Sequence, residues 1–305
     1  MKKIILSVIL LSNLSVTGFA CSSCGCSAAN QSIGLLSQIP NNFIGFQYQI
    51  RGFSTTHPDD GGMDLPGISH EYYQTYQITG KYNIGKRIQV FAFAPYIVNI
   101  RKQTDVSPIS YSGIGDITLL ANVYLLKKVN CTWKHDLLIG GGVKLPTGVY
   151  DRQSTKTEEG LPNMQPGTHS WDVVVNGSYT VSRKNIGLNV DANYTVTTAN
   201  DDSYKYGNRL SANSFVFYKV KKRQLTVLPQ MGVSYDRVQK DYENYSNKEI
   251  DGDSGSWHLY ATVGVQALYR KFGMNLRYQQ PITQHYNSGL VNNWYKSEAG
   301  IFLLF

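Results

Sequence analysis

Four cysteines are the residues best suited to chemistry in this 305-residue chain. Cys21, Cys24 and Cys26 form a C-x-x-C-x-C run, three soft donors within six positions, and Cys131 follows Lys127-Lys128 much later. Thiolates at that spacing suit copper(I) or zinc, the one cofactor class the sequence suggests. In an oxidising compartment the same four sulfurs form two disulfides, one of them tying the N-terminal segment to the turn at Cys131. Cys-x-Cys closes poorly on itself, so Cys24 and Cys26 need different partners. Lipidation of Cys21 and free thiols are the other outcomes.

Catalytic patterns are weak. Ser256 and His258 stand two apart with Asp253 nearby, a spacing that some lipase barrels use on one strand face. The order is reversed here, and His258 falls on the parity that faces away from lipid. His169 and Ser170 are adjacent, so on a strand they point to opposite faces. No nucleotide-binding loop and no helix-borne metalloprotease pattern occurs, so no enzymatic activity is expected.

A third set is charged residues recurring inside apolar runs: Asp116, Lys144, Asp172, Asp191, Arg277, Lys296 and Glu298, joined by Arg51, Glu71, Lys81, Arg101, Asp136, Lys219 and Asp236. Mixed signs on the inner face of a closed wall can set a transverse field that screens solutes by charge and size. They can equally pair with one another and fill a narrow lumen.

The elements that must position these residues are strands. The composition holds 22 Tyr and 28 Gly with only 16% charged residues, below the roughly 25% of an average soluble domain, and it favours sheet. From Phe43 onward, runs of alternating polarity fall at 43–54, 71–83, 88–101, 115–126, 132–146, 170–181, 186–198, 209–220, 224–238, 257–269, 272–283 and 294–305. In Ile186–Thr197 the even positions Ile186, Leu188, Val190, Ala192, Tyr194 and Val196 are apolar, and the odd ones, Asn189, Asp191 and Asn193 among them, are polar or glycine, as a wall between lipid and a wet interior requires. Two features resist this pattern. Phe215 and Phe217 fall on the inner parity, and Pro95, Pro229 and Pro281 stand within strands, where they require bulges or strand ends.

The connections sort by charge. Lys86-Arg87, Lys127-Lys128, Arg183-Lys184, Lys221-Lys222-Arg223 and Arg270-Lys271 sit in short turns, whereas 55–70, 102–112, 149–169, 199–208, 239–256 and 284–293 are long and carry the acids. Although the net charge is +8, this two-rim distribution is unlike the continuous basic face of a nucleic-acid binder, and no nucleic acid is expected as partner. An even strand number puts both termini at the short-turn rim, which in bacterial barrels faces the periplasm.

Both ends of the chain carry export marks. Lys2 and Lys3, the apolar run Ile4–Val16 and Gly18-Phe19-Ala20 read as a cleaved signal peptide over 1–20. After it, 21–42 is expected to be a periplasmic segment holding the cysteines, and 43–305 the barrel. Phe305, Leu303, Ile301 and Ala299 share one face of the last strand, and the chain stops on an aromatic residue, a docking mark for the barrel-assembly machinery. No later stretch reaches the roughly 18 apolar residues of a spanning helix, so any crossing is made by strands.

Gly113-Ile114-Gly115-Asp116-Ile117, Gly140-Gly141-Gly142-Val143-Lys144-Leu145-Pro146-Thr147-Gly148, Gly160-Leu161-Pro162, Pro166-Gly167 and Trp171-Asp172 resemble the phenol-degradation MetA-pathway family of outer-membrane proteins across the central third of the chain. The resemblance implies an outer-membrane barrel that moves small compounds, aromatic or apolar ones among them. Read physically, the same glycines let the wall bend or let another segment come close, and Pro-Thr-Gly ends the ladder.

The expectation is therefore an all-β protein, a transmembrane up-and-down antiparallel β-barrel of about 12 strands. It would lie among outer-membrane lipids and pass small solutes without catalysis. A non-transporting anchor barrel whose N-terminal thiols bind copper or zinc is the alternative.

Overall fold

The computed structural model describes residues 34–57, 67–104, 106–129, 132–150, 162–243, 248–249, 254–286 and 289–305. The expected signal peptide, all four cysteines and Asp253 lie outside the described residues. The strands are β1 (Phe43–His57), β2 (Gly67–Ile84), β3 (Ile88–Gln103), β4 (Val106–Ile114), β5 (Thr118–Val129), β6 (Lys134–Lys144), β7 (Asp172–Arg183) and β8 (Ile186–Val196). They continue as β9 (Tyr204–Lys205), β10 (Arg209–Tyr218), β11 (Val220–Lys222), β12 (Leu225–Val238), β13 (Tyr242–Glu243), β14 (Lys248–Glu249), β15 (Ser256–Tyr269), β16 (Phe272–Tyr286) and β17 (Val291–Leu304).

Neighbours in sequence pair antiparallel, and the first strand pairs with the last, Phe43 opposite Leu304. The sheet is thus a closed barrel of twelve staves, with β4 and β5 forming one stave against β3, and β10 and β11 another against β12. Strands β9, β13 and β14 make a small separate sheet at the long-loop rim.

Side-chain parity decides what the wall faces. On β8, Ile186, Leu188, Val190 and Val196 are exposed, whereas Asn189, Asp191, Asn193 and Thr195 are buried. Ile78, Leu119, Ile139, Val175, Val233, Val263, Leu276 and Ile301 extend the exposed apolar band around the barrel. Tyr82, Tyr218, Tyr269 and Phe272 flank it near the short turns, and Trp171 and Tyr278 flank it toward the long loops. Such a belt would aggregate in water and is matched only by hydrocarbon with aromatic girdles at its edges, so the barrel is membrane-embedded. The main path of the sheet closes on itself, β1 on β17 and β10 on β12, which is the other condition for crossing lipid, while β4 and β11 each pair with a strand on one side, β3 and β12. Among the described residues, no helix is long and apolar enough to cross a membrane.

The three prolines fall at irregularities of the ladder. Pro95 faces the break between β4 and β5, where Gly115 N–H donates to its carbonyl at 2.9 Å. Pro229 faces the break between β10 and β11, and Pro281 sits at the register shift of β15. The expected long loop over 102–112 is largely strand: β4 extends the wall beside β3, leaving only 104–105 between them. Alternation is imperfect in Val106–Ile114, which is why its sequence passes for a loop.

Candidate functional site

Lys144 ends β6 and Asp172 begins β7, directly opposite in the ladder, while Thr118 flanks Lys144 on β5. The turn Gly115–Ile117 between β4 and β5 brings Asp116 to the same level. The ammonium of Lys144 lies 3.0 Å from Asp116 Oδ2 and 2.7 Å from Asp172 Oδ2, all three side chains almost wholly buried. Asp116 also accepts from Gly148 N–H (2.9 Å), Thr168 N–H (3.0 Å) and Thr168 Oγ1 (2.7 Å). Asp172 accepts from Ser170 Oγ (3.0 Å) and Thr198 N–H (3.2 Å), and Lys144 donates to Thr168 Oγ1.

This latch fixes the β6–β7 connection. Its two arms cross so closely that a Cβ on Gly148 would stand 2.5 Å from Gly167 Cα, and a Cβ on Gly167 would stand 2.6 Å from Gly148 C. Only glycine allows that approach. Held there, the connection sends a 3-10 turn, Pro162–Met164, into the lumen. Met164 packs with Phe53, Tyr73, Tyr286 and Val291, and its carbonyl accepts from Asn99 Nδ2 at 2.9 Å.

A second segment enters from the opposite rim. Residues 34–42, expected outside the barrel, fold within its short-turn end as a 3-10 turn, Gly34–Gln38, running into β1. Leu36 and Ile39 pack with Phe43, Phe91, Phe93, Leu120 and Phe302, and Leu35 packs with Phe217 and Leu228. The inward parity of Phe217 now has a reason. Its ring lies over Gly187, where a Cβ would come within 2.2 Å, and it forms part of the seat for Leu35.

Between the two inserts the lumen is polar. Lys296 lies 3.2 Å from Asp236, which also accepts from Ser211 Oγ at 2.7 Å. Arg277 lies 3.8 Å from Glu298, which accepts from Asn275 Nδ2 at 2.6 Å. Asp191 accepts from Asn213 Nδ2 at 2.9 Å, and Asp136 pairs with Lys134 at 2.8 Å. Asn122 Nδ2, Asn176 Oδ1, Asn189 Oδ1, Gln230 Oε1 and Asn275 Oδ1 are buried with no protein partner. Such atoms cost about 1–3 kcal/mol each unless water or a solute satisfies them.

The expected inner charges thus resolve into separate groups. Asp116, Lys144 and Asp172 meet at the long-loop end, whereas Arg277, Glu298, Lys296 and Asp191 lie deeper in three pairings with nearer partners. Arg101 donates to His57 at 3.0 Å and Glu71 accepts from Tyr73 at 2.8 Å near the long-loop end. Lys219 departs from the inner set: it is exposed at the break between β10 and β11. Ser256 and His258 do not form a nucleophile–base pair, since the imidazole of His258 bonds the hydroxyl of Tyr286. Among the described residues, no group of three His, Cys, Asp or Glu could hold a metal.

A known structure shares this architecture. The chain aligns with the COG4313 outer membrane channel from Pseudomonas putida F1 at a TM-score of 0.62 and 11% identity, over 87% of this chain and 96% of that one. The beta domain of the Bordetella autotransporter BrkA aligns at 0.48 and 8% identity, over 87% and 100%. No curated protein matches the sequence. The model of the family described as "Putative MetA-pathway of phenol degradation" matches residues 52–285, from β1 through β16, and the chain belongs to that family.

Proposed function

We propose that the barrel is a passive channel for small solutes in a bacterial outer membrane, aromatic or weakly polar molecules among them, and that it carries out no reaction. One observation carries this reading: the wall encloses more space than its own side chains fill. Eight strands suffice for a barrel closed by side chains alone. Here twelve staves surround a lumen whose surplus is taken up by two chain segments, 34–42 and 162–168, that are not part of the wall. An anchor needs no such surplus, whereas a solute path does. The buried amide atoms without a protein partner supply hydrogen-bonding positions for a solute inside the wall. The basic short turns fit the periplasmic side, and Phe305 fits a role in assembly.

The test is swelling of liposomes that hold the refolded barrel, in a series of sugars, amino acids and phenols of graded size. Swelling that falls off with solute size supports a channel. A bilayer that stays sealed to the smallest members, with the barrel demonstrably folded, rejects it.

A further inference from the structure

We infer that residues 34–42 are the movable gate of this lumen, opening toward the short-turn rim, while the β6–β7 insert is a fixed constriction. The inference rests on the channel reading above. It comes from how differently the two inserts are held.

The β6–β7 insert is clamped. Two buried ion pairs, a carboxylate that receives two backbone N–H groups, and a glycine crossing tie it to the wall at both of its arms. Releasing it would strand buried charges. The N-terminal insert has no ion pair within the described residues. Its polar ties include hydrogen bonds from Gln38 Nε2 to Thr180 Oγ1 at 3.0 Å, to the carbonyl of Ser37 from Gln89 Nε2 at 3.2 Å and Tyr124 OH at 3.3 Å, and to the carbonyl of Ile39 from Lys81. Nearer β1, Asn83 donates to the carbonyl of Pro40 at 3.1 Å and to Asn42 Oδ1 at 2.9 Å, and Phe305 N–H donates to the carbonyl of Asn42 at 3.0 Å. Apolar contact through Leu35, Leu36 and Ile39 adds to these. At its C-terminal end it runs directly into β1.

Its position suits closure. The ties reach β3, β5 and β7, Leu35 reaches β10 and β12, and Leu36 and Ile39 reach β17, so one short segment touches the wall on opposite sides of the barrel.

Lys81 adds a force favouring release. Its side chain is buried and faces no carboxylate within ion-pair distance among the described residues. Its ammonium donates to the carbonyl of Ile39 and lies 6.0 Å from the ring centroids of Phe43 and Phe91. A docked gate therefore keeps one cation away from water, and an undocked gate returns it to solvent. Burial of Leu35, Leu36 and Ile39 opposes that release. The two terms oppose one another, as a reversible gate requires.

The experiment uses planar bilayers and a full-length chain in which the four native cysteines are serine. One variant carries Gln38→Cys and Thr180→Cys, bridged by a short reducible bis-thiosulfonate linker. A second carries Leu36→Asp and Ile39→Asp, which places carboxylates in apolar surroundings and favours undocking. The gate predicts that bridging lowers mean conductance at least about tenfold, that reduction restores it, and that the aspartate variant conducts at least about tenfold more than its parent, one tenfold being about 1.4 kcal/mol on the docking equilibrium. Heat-modifiable migration in SDS confirms that each variant is folded. Equal conductance in bridged, reduced and aspartate forms overturns the gate and leaves the channel standing. Absence of conductance in every form, the aspartate variant included, overturns the channel reading and the gate with it.

Discussion

Replacement of Lys144 by methionine tests the latch with little change of side-chain volume. The ammonium is 3.0 Å and 2.7 Å from two buried carboxylates, so each attraction amounts to roughly 5–6 kcal/mol at an effective dielectric constant of about 20. Desolvation and repulsion between the two carboxylates offset much of this. The expected loss is that of a broken buried pair, about 3–5 kcal/mol, because Asp116 and Asp172 would remain ionised and unpaired. Their other donors, Gly148, Thr168, Ser170 and Thr198, moderate the loss without removing it. Urea unfolding of the refolded barrel in detergent measures it, with Trp171 beside the site as a fluorescence reporter. Combining Lys144→Met with Asp116→Asn and Asp172→Asn removes the stranded charges and should cut the loss to below about 2 kcal/mol. A single variant within about 1 kcal/mol of the native barrel, or a triple variant less stable than the single one, would refute the latch.

Other perturbations probe separate features. Gly167→Ala forces its Cβ against the backbone of Gly148 and should cost about 1–3 kcal/mol while exposing 145–171 to protease; an unchanged digestion pattern counts against the crossing. A polar residue at Phe305 should lower the amount of barrel in the outer membrane while the purified chain still folds in detergent, and normal amounts would make the terminal aromatic incidental. Burial raises the Asp241 carboxyl above its ordinary 3.8, with hydrogen bonds from Tyr204 and Gly207 opposing the shift. Its contribution to the small sheet of β9, β13 and β14 is therefore fully present below 3.8 and declines as pH rises through the higher folded value. Amide exchange at 204–207, corrected for intrinsic rates, should be slower at acid pH, and faster exchange there contradicts the sign. Mass spectrometry of the non-reduced protein should find two disulfides among Cys21, Cys24, Cys26 and Cys131; free thiols with about one copper or zinc per chain would reverse that assignment.

Much of the wall was legible in the sequence because a closed membrane sheet imposes period two on every stave. β8 displays it without interruption and β16 from Phe272 to Gln280, and the prolines at 95, 229 and 281 announced the breaks that the ladder contains. The same rule put Lys144, Asp172 and Asp191 on the inner face, where their side chains are buried, whereas Asp116, expected on a strand beginning at 115, is brought inward by the turn Gly115–Ile117. Which charge meets which did not follow from it, because the meeting of Lys144 with Asp116 depends on strand register and on a turn 28 positions earlier in the chain. The inserts were hidden for a different reason. Leu35-Leu36 and Ile39 form too short an apolar cluster to mark an element, and 162–168 resembles any glycine- and proline-bearing loop. A signal was the inward parity of Phe217, an apolar ring facing a polar lumen, which implies an apolar partner inside it; Phe215 instead lies under the guanidinium of Arg277, 5.3 Å from its ring centroid.

Passage of solute through the lumen is tested most directly by single-channel recording of the purified barrel in a planar bilayer. Discrete steps should appear, smaller than those of an open sixteen-stranded pore, with lower current when a small phenol is added to either side and occupies the polar middle of the lumen. A silent bilayer from folded native barrel and from the Leu36→Asp, Ile39→Asp form alike would contradict a channel.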